Sequence, residues 1–168
     1  MTIDVLHPVV EAGKGERVRL GGIGVNYKVP AEATGGGFAI VEHPVEPGVL
    51  VPPHVHTRED EFSFVIEGEV GVRIGDHVFT ARTGDYVVKP RDVPHTFWNS
   101  GPAHARLLEI LSPPQFGQYF REMAAILAEG GEPDFERIAS LAGRYGVTFL
   151  MDWVPELSST YGVTVLGR

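Results

Sequence analysis

Between Val18 and Leu111 the apolar and polar positions alternate in short runs, with turn residues between them and no helical period. The runs predict strands over residues 18–20, 24–28, 37–43, 48–56, 61–67, 69–74, 77–81, 85–89, 95–99 and 105–111. The junctions EGE (67–69), IGDH (74–77), RTGD (82–85), KPRDVP (89–94) and NSGPA (99–103) carry glycine or proline, whose backbone preferences reverse a chain. Many short antiparallel strands at this spacing predict a sandwich or barrel. The pattern then changes. In QFGQYFREMAAILAEGG, Phe116, Tyr119, Phe120, Met123 and Leu127 recur at three or four residues, which sets them on one helical face, and Gly130 with Gly131 supply the stop. A second helix is expected over 133–142, with Pro133 in its first turn and Asp134 and Glu136 at its positive end. These helices are expected to close one end of the β core, with residues 145–153 extended or looped beyond them. AEATGGGF (31–38) reads as a flexible loop, and the tail PELSSTYGVTVLGR shows no clear pattern.

A chain of 168 residues fits one domain, 1–168, with a β core over about 18–111 and a helical and extended appendage over about 114–168. No stretch approaches the roughly 20 unbroken apolar residues that span a bilayer. The N-terminal segment lacks the basic start and apolar block of a secretory signal. The chain contains no cysteine, which excludes disulfides, thiolate nucleophiles and cysteine-bound zinc. A cytoplasmic location is the expectation. A net charge of −8, with no clustered basic patch, argues against a nucleic-acid partner.

The chemistry concentrates in VPPHVHTREDEF, residues 51–62. In a strand, side chains at i and i+2 share a face, so His54 and His56 point the same way, roughly 7 Å apart along the backbone. A turn after them can return an acid, and Glu59, Asp60 and Glu61 compete for that place. Of Asp60 and Glu61 only one can look inward. His95 opens another two-sided strand in HTFWN and could stand beside the pair in a tightly closed barrel. Three imidazoles and a carboxylate suit a divalent first-row metal with positions left open for solvent or substrate. The plainer alternative is a hydrogen-bonded surface pair beside a solvated acidic run. His7, His43, His77 and His104 lack converging partners, and Glu109 could face the interior from its strand, although the surface or a salt bridge is the expected setting. Tyr27, Phe62, Phe64, Phe97 and Trp98 are candidate apolar walls, although alternation must turn some of them away.

GVLVPPHVHTREDEFSFVIEG (48–68) resembles the first cupin motif, and GDYVVKPRDVPHTFWN (84–99) resembles the second, with Gly84, Pro90, His95 and Asn99 in register. Asp92 stands where that motif usually carries glycine, and aspartate tolerates a left-handed turn better than most residues. The resemblance selects Glu61 as the acid and implies an all-β jelly-roll barrel with C-terminal helices packed against it. It implies one divalent transition metal (Fe, Mn, Ni, Co, Cu or Zn) held by His54, His56, Glu61 and His95, and a homodimer. The layout also resembles small quercetin dioxygenase-like proteins. That likeness implies a dioxygenase using dioxygen on a small enolic or phenolic, flavonol-like substrate, with Glu61 as ligand or proton acceptor. The alternatives are a metal-dependent isomerase, epimerase or lyase of a hydroxy-carbonyl compound, and a non-enzymatic small-molecule-binding protein.

Overall fold

The computed structural model describes residues 9–167, so the expectation for His7 lies outside the described residues. Eleven strands come first: β1 (Arg17–Leu20), β2 (Ile23–Val29), β3 (Ala39–Val45), β4 (Val49–Leu50), β5 (His54–His56), β6 (Asp60–Glu67), β7 (Glu69–Ile74), β8 (His77–Arg82), β9 (Tyr86–Lys89), β10 (His95–Asn99) and β11 (Ala105–Ser112). The helices α1 (Phe116–Ala128) and α2 (Phe135–Arg144) follow, then β12 (Val147–Phe149), α3 (Val154–Tyr161) and β13 (Thr164–Val165). One sheet runs β1-β2-β3-β11-β6-β9; the other runs β12-β5-β10-β4-β13, with β7 on the far side of β10 and β8 beyond it.

The predicted alternation is what joins the sheets. Ala105, Leu107, Glu109 and Leu111 of β11 are buried while the residues between them are half-buried, and β3 repeats the pattern with Ala39, Val41, His43 and Val45. Val41, Val65 and Leu107 of the first sheet pack with Val70, Val72 and Phe97 of the second in one core. The strands form an all-β jelly roll of two sheets; among the described residues they do not close into the single ring expected from the sequence. The edge strand β9 pairs only with β6 and is ended by Pro90, which has no N–H to extend the ladder.

The predicted strand over 48–56 is likewise two strands. Pro52 and Pro53 interrupt the ladder between β4 and β5, which both pair with β10. Gly48, Gly68 and Gly84 occupy left-handed turns, and so does Asp92 (φ 62°), in accord with the sequence reading.

Helix α1 buries Phe116, Tyr119, Phe120 and Met123 against the core, as their spacing predicts. In α2 the cap is Asp134, whose side chain accepts the Arg137 N–H at 3.0 Å; Pro133 precedes the helix and is not in its first turn. The segment 31–38, expected as a loop, begins with a 3-10 turn over Ala31–Thr34. The tail is ordered too. Leu157 of α3 and Val163 pack with Leu50 and Trp98 on the outer side of the second sheet, and β13 pairs in parallel with β4. Gly71 lies under Trp98, where a Cβ would come within 2.1 Å of the indole, so only glycine fits. Among the described residues no helix is long and apolar enough to cross a membrane.

Candidate metal centre

His54 stands directly opposite His95 across the β5–β10 ladder, so strand pairing brings them together without a closed barrel. His56 shares the face of His54 two residues on. After the turn at Thr57–Glu59, β6 brings back Glu61, which is buried, while Asp60 faces out and binds the Arg91 guanidinium at 2.7 Å. The competition among the three acids is thereby resolved by the pleat and the turn together. Glu59 is also buried, but it lies behind His56.

The ring orientations follow from the atoms at the back of each imidazole. His54 Nδ1 lies 2.7 Å from the Pro52 carbonyl oxygen and His95 Nδ1 lies 3.0 Å from that of Val93. A carbonyl only accepts, so both Nδ1 atoms carry the proton and both Nε2 atoms present a lone pair. His56 Nδ1 is 3.2 Å from Glu59 Oε2, which fixes the same tautomer. His56 Nε2 and His95 Nε2 are buried and have no hydrogen-bond partner. They lie 3.5 and 3.4 Å from the Glu61 carboxylate oxygens. One ligand atom from each of His54, His56, Glu61 and His95 falls within 4.8 Å of all the others, an arrangement that could hold a metal ion. Orphaned lone pairs facing one carboxylate are what such a group needs, and the donor set of nitrogen with one oxygen fits a first-row divalent ion.

Burial holds the His54 imidazole well below its ordinary range, helped by the neighbouring His95 and His56, and burial likewise lowers His95. Neutral imidazoles keep their lone pairs available. Burial opposes the charge on Glu61, yet the opposing charges, led by the Lys89 ammonium, outweigh it and hold the carboxyl well below the usual range. Lys89 is only 2% exposed; its ammonium donates to Glu61 Oε2 at 3.0 Å and to Glu109 Oε2 at 2.9 Å. Burial works against the Lys89 charge, but Glu109 and Glu61 overcome it and raise it above its ordinary range. Glu109 is pushed up to about 7, first by burial and then by the Glu61 charge, against the pull of Lys89. Of the two carboxylates in this triad, Glu61 is the more easily ionised.

Of the candidate walls, Phe97 and Tyr27 face inward, and Tyr27 donates its hydroxyl proton to the Gly117 carbonyl at 2.7 Å. Phe62 and Phe64 lie on the outer face of the first sheet, and Trp98 lies under α3, as the strand alternation requires. Phe116, absent from the predicted walls, meets the His56 ring edge-on with centroids 4.4 Å apart. His43 is buried with Nδ1 bonded to the Gly24 carbonyl at 2.9 Å, whereas His77 and His104 are exposed. Glu109 is in an ion pair, as one of its two expected settings required, but it is an interior one. Lys89 was missed because a lysine is ordinarily a surface residue; its alternation with Val87 was the available signal. Two surface clefts run along α1 and α2, beside Glu122, Ile126, Arg137 and Leu141, and touch none of the four convergent residues. Convergence of ligand atoms, and not cleft size, marks the site.

Comparison with known proteins agrees with the fold. Residues 42–111 match the family profile described as "Cupin domain". The chain is 34% identical over 104 residues to "Polyketide synthase CurC" of Streptomyces cyaneus, a match covering 58% of this chain and 65% of that protein. The chain spans less than two thirds of the length of the curated relatives it matches first. Its fold resembles that of a protein described as a predicted oxalate decarboxylase from Thermotoga maritima, with a TM-score of 0.59 and 18% identity over 62% of this chain and 98% of that one. It also resembles a protein described as a sugar phosphate isomerase from a cupin superfamily, from Silicibacter pomeroyi, with a TM-score of 0.55 and 25% identity over 62% of this chain and 75% of that one.

Proposed function

From a chain that belongs to the cupin superfamily, we propose a metal-dependent dioxygenase acting on a small enolic or phenolic compound. The observation that carries the reading is the meeting of three Nε2 lone pairs with the Glu61 carboxylate in a buried site. His54, His56, Glu61 and His95 would hold one divalent transition ion. Bound there, the ion would supply Lewis acidity toward a substrate hydroxyl.

The residues of the chain do the rest. Glu61, ionised and anchored by Lys89, is the nearest base for the hydroxyl proton. Phe97 and Phe116 keep the surroundings apolar and limit water. Cleavage of an enol by dioxygen that leaves both oxygen atoms in the product balances with substrate and dioxygen alone. The likeness to a polyketide synthase supports an enolic or phenolic substrate, since polyketide chains carry oxygen on alternate carbons.

The test is reconstitution with Fe, Mn, Ni, Co, Cu or Zn in turn, followed by oxygen uptake on flavonols and simpler enols in air. Uptake with at least one ion is expected. Failure with every ion, despite measured substrate binding, would overturn the oxygenase reading. The second reading, an isomerase of a hydroxy-carbonyl compound, is favoured by the likeness to the sugar phosphate isomerase. Turnover under nitrogen would select it.

A homodimer belongs to the same proposal. Phe62, Tyr86 and Val88 are 38%, 79% and 56% exposed and lie side by side on β6 and β9, with Phe62 opposite Val88 and Phe64 opposite Tyr86. Such a flat apolar face can bury itself against its own copy. Light scattering is expected to give twice the chain mass for the wild type and the single-chain mass for Tyr86→Glu; a monomeric wild type would reject the pairing.

A further inference from the structure

Lys89, Glu109 and Ser63 form a polar set behind the convergent residues. Besides the two Lys89 contacts, Ser63 Oγ donates to Glu109 Oε2 at 2.9 Å, and the three residues are 3% exposed or less. Two features ask for a reason. A buried lysine–glutamate pair is no gain over well-packed apolar residues of equal volume. A buried ammonium beside a cation site also repels the cation.

The geometry points to Lys89 as a positioning residue for Glu61, with Glu109 as the anchor that cancels its charge, an inference that rests on the metal reading above. An ammonium only donates, so Lys89 occupies a lone pair of Glu61 Oε2 and resists rotation of that carboxylate. Oε1, 3.5 Å from His56 Nε2, carries no such hydrogen bond, so Glu61 would offer an ion Oε1 first, while Oε2, 3.4 Å from His95 Nε2, would be the weaker donor with a lone pair already engaged by Lys89. Glu109 resolves the repulsion: its carboxylate, fixed by Ser63, offsets the lysine toward an ion on the far side of Glu61. The pair thus supplies a directional hydrogen bond while adding no net charge. Outer partners of this kind commonly tune both the affinity and the orientation of ligands.

Cobalt(II) is the probe, with affinity read by competition against a chelator and coordination read from the visible spectrum. Glu109→Gln leaves Lys89 uncompensated and is expected to weaken cobalt binding by about tenfold or more. Lys89→Met is expected to keep the affinity but to weaken and shift the visible bands, as Glu61 adds its second oxygen and the coordination number rises. The double variant is expected to recover the affinity lost in Glu109→Gln. A merely structural role would lower the melting temperature of all three variants without the rescue or the band change. Circular dichroism checks folding, and Lys89→Leu replaces the methionine variant if that one does not fold. An unchanged cobalt spectrum on removal of Lys89, or a double variant as weak as Glu109→Gln, overturns the inference. A wild type that takes up no cobalt or other divalent ion overturns the metal reading itself, so the two failures are distinct.

Discussion

His95 and Trp98 stand three residues apart on β10, are each 1% exposed, and face opposite sides of the second sheet. Each also carries a buried ring nitrogen with no hydrogen-bond partner, His95 Nε2 and Trp98 Nε1. The indole packs with Leu50, Leu157 and Val163, its ring centroid 4.6 Å from that of Tyr161, and its nitrogen is a donor without a partner among the described residues. The imidazole nitrogen is a lone pair that meets two more imidazoles and a carboxylate. An orphaned polar atom is therefore not by itself a sign of chemistry. Convergence is. One face of the strand bears the cost of collected polar groups for a task, and the other recovers stability by apolar burial.

The contrast is sharpest under truncation. His95→Ala removes a ligand, and metal content by elemental analysis is expected to fall from near one ion per chain to near none, an affinity loss above the roughly 10–100-fold seen for outer partners. Full occupancy in that variant would sink the assignment. Trp98→Ala should do the reverse. It is expected to lower unfolding free energy by about 3–5 kcal/mol while leaving the metal affinity of the folded protein unchanged; a lost metal site in chemically folded W98A would show that the two faces are coupled.

A smaller effect separates the interior face from an ordinary core. Burial lowers the His43 pKa to about 4, so the folded protein disfavours its charged form. Its folded pKa lies below the unfolded one, so its contribution is present above pH ~6.5 and is lost as pH falls toward about 4, roughly 3 kcal/mol in all. Denaturant melts across that window should be steeper in pH for the wild type than for His43→Gln. Equal slopes would mean that His43 charges freely in place.

Much of this site was legible in the sequence. The period of two set His54 and His56 on one face and separated Glu61 from Asp60. The periodic apolar face of α1 was equally plain. What escaped depends on partners remote in sequence. Lys89 shares the inward alternation of Val87, yet only the presence of Glu61 and Glu109 on the neighbouring strands makes a lysine tolerable there. The split of β4 from β5 depends on how β10 pairs around Pro52 and Pro53. The tail lacks a strong period of its own because α3 is only eight residues long, capped by left-handed Gly162, and is held by Trp98 and Leu50.

Phe116 leads α1 straight onto His56, and the residue that opens the helix, Gln115, offers no side-chain hydrogen bond to its first turn. A molecule approaching from that side would meet the first turn of α1, and lifting that turn would be a step within the protein that added concentration cannot hasten. His54 is the least enclosed of the four. The two approaches would differ in kinetic order before they differed in affinity: capture past the helix levels off as ligand increases, and capture past His54 keeps rising in proportion.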